Sequence, residues 1–319
     1  MEHEYSELSP DINDKGKRLD VFLANRIKSI SREKAKDLIN RGMVYIGGVT
    51  VQKPDYRIRG NESIIVDHVK ESRSIVSPPP ENIPLSVLYE DEYIMIINKP
   101  AGVSTHPTMN AMHNTVVNGL LYMNKQLSDM GDPLRRGIVH RLDKLTTGLL
   151  IIAKNNEAHI NLLKMFKQRA IEKTYIAVTH NKMGEQSGVI DGFIERHPVD
   201  RKKMTTKTMH GRRAITSFQV IKRFDEATVL LLFPKTGRTH QLRTQLSDMG
   251  YPIVNDTVYS KRKALFRDPK LQRMALLLDG IALFAYALKF VHPVYNTPLS
   301  CSAPFPLWLK KVLEEHELS

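Results

Sequence analysis

The stretch GIVHRLDKLTTGLLIIAK (137–154) joins a charged cluster to an apolar run. Asp143 stands between Arg141 and Lys144, and the run at 149–153 is typical of a buried strand. An ionised carboxylate in a water-poor site can act as a nucleophile or as a general acid or base. Burial alone raises the pKa of a carboxyl group, so this chemistry requires a nearby cation. The alternative is a turn residue that pairs with Lys144.

Several other motifs that carry chemistry are absent from the sequence. The 17 glycines include no pair spaced two apart, which excludes the common dinucleotide fingerprint. There is no GxxxxGK[ST] phosphate loop, no HExxH and no GxSxG. His106 and His113 have no carboxylate at ligand spacing, and we interpret their segment as a loop rather than a metal site. We therefore expect chemistry without metal or cofactor.

The charge balance indicates an anionic partner. Lys and Arg total 47 against 34 Asp and Glu, which gives a net charge of +13. Such a surface favours nucleic acid or an anionic membrane. We expect no membrane partner, because no apolar run approaches the length of a spanning helix and the first thirty residues lack a signal-peptide core. The single cysteine, Cys301, excludes an intrachain disulfide, and a cytoplasmic location is the default expectation.

The composition predicts four segments. Residues 1–15 are polar and are expected to be flexible. Residues 16–72 form a small basic domain, since positions 15–60 carry 12 Lys or Arg against 4 Asp or Glu. Residues 73–84 contain three consecutive prolines and are predicted to be an extended linker. Residues 85–316 form the larger domain.

The small domain is predicted to be a basic α/β unit. RLDVFLANRI and SREKAKDLINRG are typical of helices, the second with Ser31 as N-cap and Gly42 just beyond its end. VYIGGVTV predicts a hairpin turning at Gly47-Gly48. The cations of the second helix include Arg32, Lys36 and Arg41. They suit a phosphate-binding face, and the alternative is a solvated surface.

The larger domain has mixed signals with more strands than helices. Five runs are typical of strands: YIMIINKP, GLLIIAK, KTYIAVT, ATVLLLFP and FAYALKFVHP. Helical patterns occur at 156–169 and 239–249. The irregular alternation favours an α+β fold with a mixed, mostly antiparallel sheet.

Ordered sequence blocks resemble the RluA-type RNA pseudouridine synthases. The stretch around Asp143 is similar to the family signature HRLD-x-x-[TS]-[ST]-G. The other blocks are NKPAGVSTHP (98–107), TVVNGLL (115–121), EKTYIAV (172–178), RKKM (201–204), KTGRTHQLR (235–243), YPIVNDTVY (251–259) and an HP...AP.P tail (292–306). The small domain resembles an RNA-binding domain first recognised in a ribosomal small-subunit protein. The resemblance implies isomerisation of uridine in RNA to pseudouridine.

The resemblance also implies roles for individual residues. Asp143 matches the family's nucleophile, and Arg238 matches the basic residue that pairs with it. Tyr175 matches the tyrosine that stacks on the uracil and assists proton transfer. Arg141 matches the arginine that fills the stack when the base is flipped. The alternatives are a strand-core residue for Tyr175 and a surface cation for Arg238.

We predict further RNA contacts by basic residues of both domains. They are His140, Arg201, Lys202, Lys203 and Arg243 in the larger domain and Arg32, Lys36 and Arg41 in the smaller one. The segment 197–213 is rich in Lys and Arg, which repel one another unless an anion neutralises them. A solvated hairpin tip is the alternative there. Asn255 stands where the family usually has glycine, and we expect it to tolerate a positive φ so that the turn is retained. Phe284 stands where the family usually has histidine. These two departures from the family pattern bear on the RNA target rather than on the reaction.

We expect a cytoplasmic, monomeric synthase acting on large-subunit ribosomal RNA, with transfer RNA second. One rival is a non-catalytic RNA-binding assembly factor, which predicts loss of Asp143, Tyr175 or Arg238. Another is an RNA hydrolase, which needs a second carboxylate. Asp256 is the nearest candidate, and we interpret it as a turn residue.

Overall fold

The computed structural model describes residues 3–27, 30–69, 77–262 and 264–313. The chain forms two compact units, residues 1–75 and 76–319. Residues 73–76 of the predicted linker lie outside the described residues. Residues 77–84 form no helix or strand, but Ile83 is buried among apolar side chains of the second unit. This part of the segment therefore packs as part of the second unit.

The first unit places two helices against a four-stranded antiparallel sheet. Its elements are β1 (His3–Leu8), α1 (Leu19–Arg26), α2 (Arg32–Asn40), β2 (Val44–Ile46), β3 (Val49–Thr50) and β4 (Ile64–Val69). The strand order is β1-β4-β2-β3. Ser31 caps α2 by accepting a hydrogen bond from the Lys34 amide, as predicted. Phe22 and Ile39 belong to the apolar core between helices and sheet.

The prediction that residues 1–15 are flexible is wrong for most of that segment. Strand β1 pairs along the full length of β4, and residues 12–14 form a 3-10 turn. Asp14 is buried, and its carboxylate binds Lys17 and Arg26. Backbone pairing with β4 holds this polar segment, and a composition argument cannot detect such pairing.

The second unit is built on one large sheet. Its elements are β5 (Ser86–Glu90), β6 (Ile94–Lys99), α3 (Val116–Tyr122), β7 (Thr147–Ala153), α4 (Asn156–Gln168), β8 (Glu172–His180), β9 (Ser187–Arg196), β10 (Met204–Thr205), β11 (Arg212–Arg223), β12 (Ala227–Pro234), α5 (Gln241–Asp248), α6 (Pro269–Leu276), β13 (Leu283–Val291), β14 (Pro298–Ser302) and α7 (Leu307–Lys310). The strand order is β10-β9-β11-β12-β8-β13-β7-β6-β5, with β14 paired to β13. The predicted α+β class with a mixed, mostly antiparallel sheet is confirmed.

The one parallel pairing among these strands lies between β13 and β7. Gly148 stands at this junction with φ +112°, and a Cβ there would collide with the backbone of Ala285. The segment 140–146, called the Asp143 loop, directly precedes β7. Strand β13 lies between β7 and β8, and β8 carries Tyr175. The sheet order therefore brings both residues to one region. No helix among the described residues is long and apolar enough to cross a bilayer.

Candidate active site

A cavity of about 590 Å³ lies where the Asp143 loop meets β8 and the start of α5. Its volume is within the range of small-ligand sites. Asp143, Arg141 and Tyr175 all line it, together with Arg238 and Arg243. Residues that are distant in sequence thus share one concave surface.

The buried side chain of Lys99 stabilises the backbone next to Asp143 through hydrogen bonds. This side chain is fully buried, and its Nζ donates to the carbonyls of Pro100 (2.7 Å), Val103 (2.9 Å) and Lys144 (3.2 Å). Burial lowers the pKa of Lys99 to about 7, and the nearby Asp143 charge opposes that shift. Lys99 was not predicted from the sequence, although a lysine beside a proline at the end of an apolar strand was a usable signal.

Arg243 is the cation that pairs with Asp143. Its Nη1 donates to Asp143 Oδ2 at 2.9 Å, while Nε and Nη2 bind Asp256 at 2.7 and 2.9 Å. The Arg243 side chain is only 6% exposed and that of Asp256 only 1%. The guanidinium therefore bridges the cavity carboxylate to a buried one, which fixes its position.

The predicted pairing of Arg238 with Asp143 is wrong, because Arg238 Nε donates instead to the Arg213 carbonyl at 3.2 Å. Arg243 lies in the first turn of α5 on a buried face and lines the cavity. Its predicted contact with RNA stays a prediction. Arg238 precedes that helix and is a partly buried residue of the cavity lining.

His240 and Tyr259 complete the polar wall beside Asp143. His240 Nε2 lies 3.9 Å from Asp143 Oδ2, and its Nδ1 lies 2.9 Å from the Tyr259 hydroxyl. The Met204 amide donates to the same hydroxyl at 2.7 Å. The Arg243 guanidinium stacks over the Tyr259 ring at 5.1 Å. Neither residue was predicted, and these bonds tie the basic segment around 201–204 to the cavity.

Tyr175 remains a neutral phenol in this environment. Burial raises its pKa above the ordinary value, and the Asp143 charge adds to the shift. The hydroxyl can donate a proton and accept another, while the ring offers a face for a base. An uncharged aromatic side chain thus lies in the same cavity as the paired carboxylate.

Comparison with known proteins decides the family. The family described as RNA pseudouridylate synthase matches residues 93–248, and the S4 domain matches residues 17–64. An "uncharacterized RNA pseudouridine synthase" of Aquifex aeolicus is 40% identical over 304 residues, covering 94% of each chain. The chain belongs to the RNA pseudouridine synthase family. It is therefore an isomerase that acts on RNA, as the motif blocks implied.

Two further relatives agree with this assignment. A "ribosomal large subunit pseudouridine synthase D" of Xanthomonas campestris is 35% identical, over 93% of this chain and 88% of that one. The solved structure of human RNA pseudouridylate synthase domain containing 4 has a TM-score of 0.55 at 25% identity, over 73% of this chain and 92% of that one.

The carboxylate arrangement does not favour the hydrolase rival. Asp256 was considered as a second catalytic carboxylate and interpreted as a turn residue. It lies in a turn, but both of its oxygens are bound by Arg243, and it is absent from the cavity lining. Asp143 is the single acidic residue among those that line the synthase cavity.

His140 lines the cavity, and its predicted contact with RNA stays a prediction. Its Nε2 accepts a hydrogen bond from the Ile151 amide at 2.9 Å, and its ring stacks on Phe166 at 4.6 Å. Burial lowers the pKa of His140 to about 3, and Lys173 adds to the shift. The ring is neutral at physiological pH and joins the Asp143 loop to β7.

The neutral His140 predicts an acid-sensitive fold. Its folded pKa lies below the unfolded value of about 6.5, so the unfolded chain binds more protons in the window between about 3 and 6.5. Stability is then lost as the pH falls through this window. Between pH 8 and pH 5 the loss from this residue is about 2 kcal/mol. The matched variant is His140→Gln, which retains a hydrogen-bond acceptor but does not titrate. Between pH 8 and pH 5 the free energy of urea unfolding should fall by about 2 kcal/mol more for the wild type than for this variant. An equal fall for the two proteins would contradict the assignment.

The remaining predicted RNA contacts lie on exposed surfaces of their own units. Arg201, Lys202 and Lys203 lie in the connection between β9 and β11. In the first unit Arg32 and Lys36 are exposed on α2, and Arg41 is exposed directly after its last residue. Arg32 pairs with Asp20 at 3.1 Å and Arg41 with Asp37 at 3.5 Å. These partners reduce the free charge that the sequence indicated. Contact of the whole set with RNA stays a prediction.

Proposed function

We propose that this synthase isomerises specific uridines of large-subunit ribosomal RNA, with Asp143 as nucleophile and the target base flipped into the cavity. The observation that carries the proposal is the Asp143–Arg243 pair at 2.9 Å in the cavity wall. An ionised carboxylate at that place is ready to attack without a prior proton transfer. The name of the Xanthomonas relative supports a ribosomal target.

The reaction requires little beyond a nucleophile and a protected space. The bond from uracil nitrogen 1 to the ribose breaks, the uracil rotates, and carbon 5 joins the ribose. Carbon 5 then loses its proton and nitrogen 1 gains one, so that the product has the same composition as the substrate. Asp143 forms and releases the covalent adduct, and Arg243 maintains its charge while water is excluded.

The position of Asp143 in a cavity supports base flipping, because a base that stays stacked in a duplex cannot enter the cavity and reach Asp143. Arg141 is exposed, lies two residues before Asp143 and lines the cavity. Its guanidinium can occupy the space in the stack that the flipped uridine leaves. Tyr175 then offers its ring to the uracil.

We further propose that the basic first unit holds the RNA near its target and that the synthase works as a cytoplasmic monomer. The match of residues 17–64 to the S4 domain and the exposed cations of α2 support the first point.

The test is a carbodiimide-stop map of pseudouridine in ribosomal and transfer RNA. RNA from cells with the gene is compared with RNA from cells without it, and with RNA after Asp143→Asn is supplied back. We expect discrete stops in large-subunit ribosomal RNA that vanish without the gene and do not return with Asp143→Asn. Lost stops in transfer RNA alone would overturn the substrate, and unchanged stops would overturn the function in these RNAs.

Tyr175→Phe should separate stacking from proton transfer. The variant retains the ring but loses the hydroxyl, so we expect RNA binding to remain while turnover falls by about 10²- to 10⁴-fold. Tyr175→Leu should also weaken RNA binding by about 1–3 kcal/mol, because a stacking face is lost. Filter binding and initial rates give the two quantities. Full turnover by Tyr175→Phe would remove the hydroxyl from the mechanism.

A further inference from the structure

Three cations on one side of the cavity have no role in the chemistry described above. Lys167, Arg169 and Lys173 line the part of the wall formed by the end of α4 and the start of β8. Within the described ranges, none of the three side chains has a hydrogen-bond or ion-pair partner. Neighbouring cations repel one another, so this part of the wall lacks a negative charge that would balance its positive charges.

Lys173 is the central member of this group. It lies two residues before Tyr175 on β8, so both side chains lie on the same face, roughly 7 Å apart along the strand. Lys173 is partly buried, and burial together with Arg169 lowers its pKa. A partly buried ammonium without a counter-charge is unfavourable. An anion beside it would stabilise the charged form and raise the pKa of Lys173 again.

The backbone brings Arg169 to the same wall. Arg169 follows the last residue of α4 with φ +60°, a left-handed conformation that glycine or asparagine adopts more readily. This turn leads the chain from α4 into β8, and Lys167 before it and Lys173 after it both line the cavity. A strained arginine at this place suggests that the side chain itself is needed.

The charge balance of the cavity identifies the kind of ligand. Asp143 is the single acidic residue of the lining, and Arg243 already neutralises it. The uracil that enters the cavity is uncharged, so it cannot balance the three cations. The anionic groups that accompany a uridine in RNA are its flanking phosphodiesters.

We propose that Lys173, with Arg169 and Lys167, forms a subsite for a backbone phosphate next to the target uridine. The inference rests on the proposed function. The phosphate contact fixes the ribose so that the uracil reaches Asp143 and Tyr175. Lys173 is thus a positioning residue, and its loss weakens substrate binding more than the chemical step.

The test uses tritium release from [5-³H]uridine-labelled ribosomal RNA of cells that lack the gene, because carbon 5 loses its hydrogen in the reaction. The variants are Lys173→Met, Lys173→Arg and the matched control Lys164→Met. Lys164 is an exposed cation of the same helix α4 as Lys167 and does not line the cavity.

For Lys173→Met we expect KM to rise about 10- to 100-fold with little change in kcat. The slope of log kcat/KM against log salt should become shallower by about 0.7, as for the loss of one phosphate contact. Lys173→Arg should restore most of both quantities, and Lys164→Met should match the wild type. An unchanged KM and salt slope, or a loss confined to kcat, would overturn the subsite.

Two arrangements keep the test decisive. If Lys173→Met melts well below the wild type, Arg169→Asn replaces it, because asparagine tolerates the left-handed backbone and the exposed arginine contributes little to the fold. If the wild type releases no tritium, the proposed function fails for this RNA. The salt slope of filter binding to the same RNA then tests the subsite, and an equal slope for wild type and variant rejects it.

Discussion

Asp143→Asn should reduce pseudouridine formation by on the order of 10³-fold or more, because removal of a nucleophile leaves only binding and positioning. The fold should change little, since Arg243 retains its two bonds to Asp256. The measurement is the chromatographic separation of uridine from pseudouridine after complete digestion of the RNA.

The control for this variant is Asp225→Asn, which removes a carboxylate that is 96% exposed and outside the cavity. We expect its turnover to equal that of the wild type. An Asp143→Asn protein that binds RNA and retains more than a tenth of the wild-type rate would exclude Asp143 as nucleophile.

Arg243→Met should be the most destabilising of these substitutions, by about 3–5 kcal/mol, because it leaves Asp256 buried without a counter-charge. The free energy of urea unfolding measures the effect. Activity should be lost as well, since Asp143 loses its cation.

Two comparisons isolate the cause. Arg238→Met removes a nearby arginine that makes no ion pair with Asp143, so its unfolding free energy should stay within about 1 kcal/mol of the wild type. Adding Asp256→Asn to Arg243→Met should recover part of the lost stability, since the uncompensated charge is removed. If Arg238→Met is the less stable single variant, the arrangement of the two arginines is wrong.

The sequence predicted the strands that contain a continuous run of buried residues. The five predicted strands correspond to β6, β7, β8, β12 and β13, all central or nearly so in the sheet. Strands β9 and β11 were missed. Strand β9 contains Gly188 and Gly192, and most of its residues are partly or fully exposed. Such a strand is stabilised by its neighbours rather than by an apolar run.

The sequence located the candidate site but did not show which arginine pairs with Asp143. Asp143 and Tyr175 were both predicted, and both line the cavity. Which arginine reaches Asp143 depends on the burial of α5, a helix of polar residues. Its Gln241 and Gln245 are satisfied by hydrogen bonds to the backbone and side chains of β11. Sequence periodicity treats such residues as exposed, so it could not show that Arg243 points inward.

The two departures from the family pattern have different outcomes. Asn255 was predicted to tolerate a positive φ, and its φ of +64° confirms this. Its side-chain amide also donates to the Gly280 carbonyl at 2.6 Å. Phe284 is 1% exposed in β13, beside the junction with β7. Its position is therefore in the core of the synthase fold rather than on an RNA-contacting surface.

The most direct test of the Asp143–Arg243 centre is a single-turnover experiment with enzyme in excess over [5-³H]uridine-labelled ribosomal RNA from cells without the gene. Binding is then saturated, and tritium release reports the chemical step alone. The wild type should release tritium in a fixed ratio to the RNA, while Asp143→Asn, bound to the same RNA, should release none above background. Equal release by the two proteins would contradict the central claim.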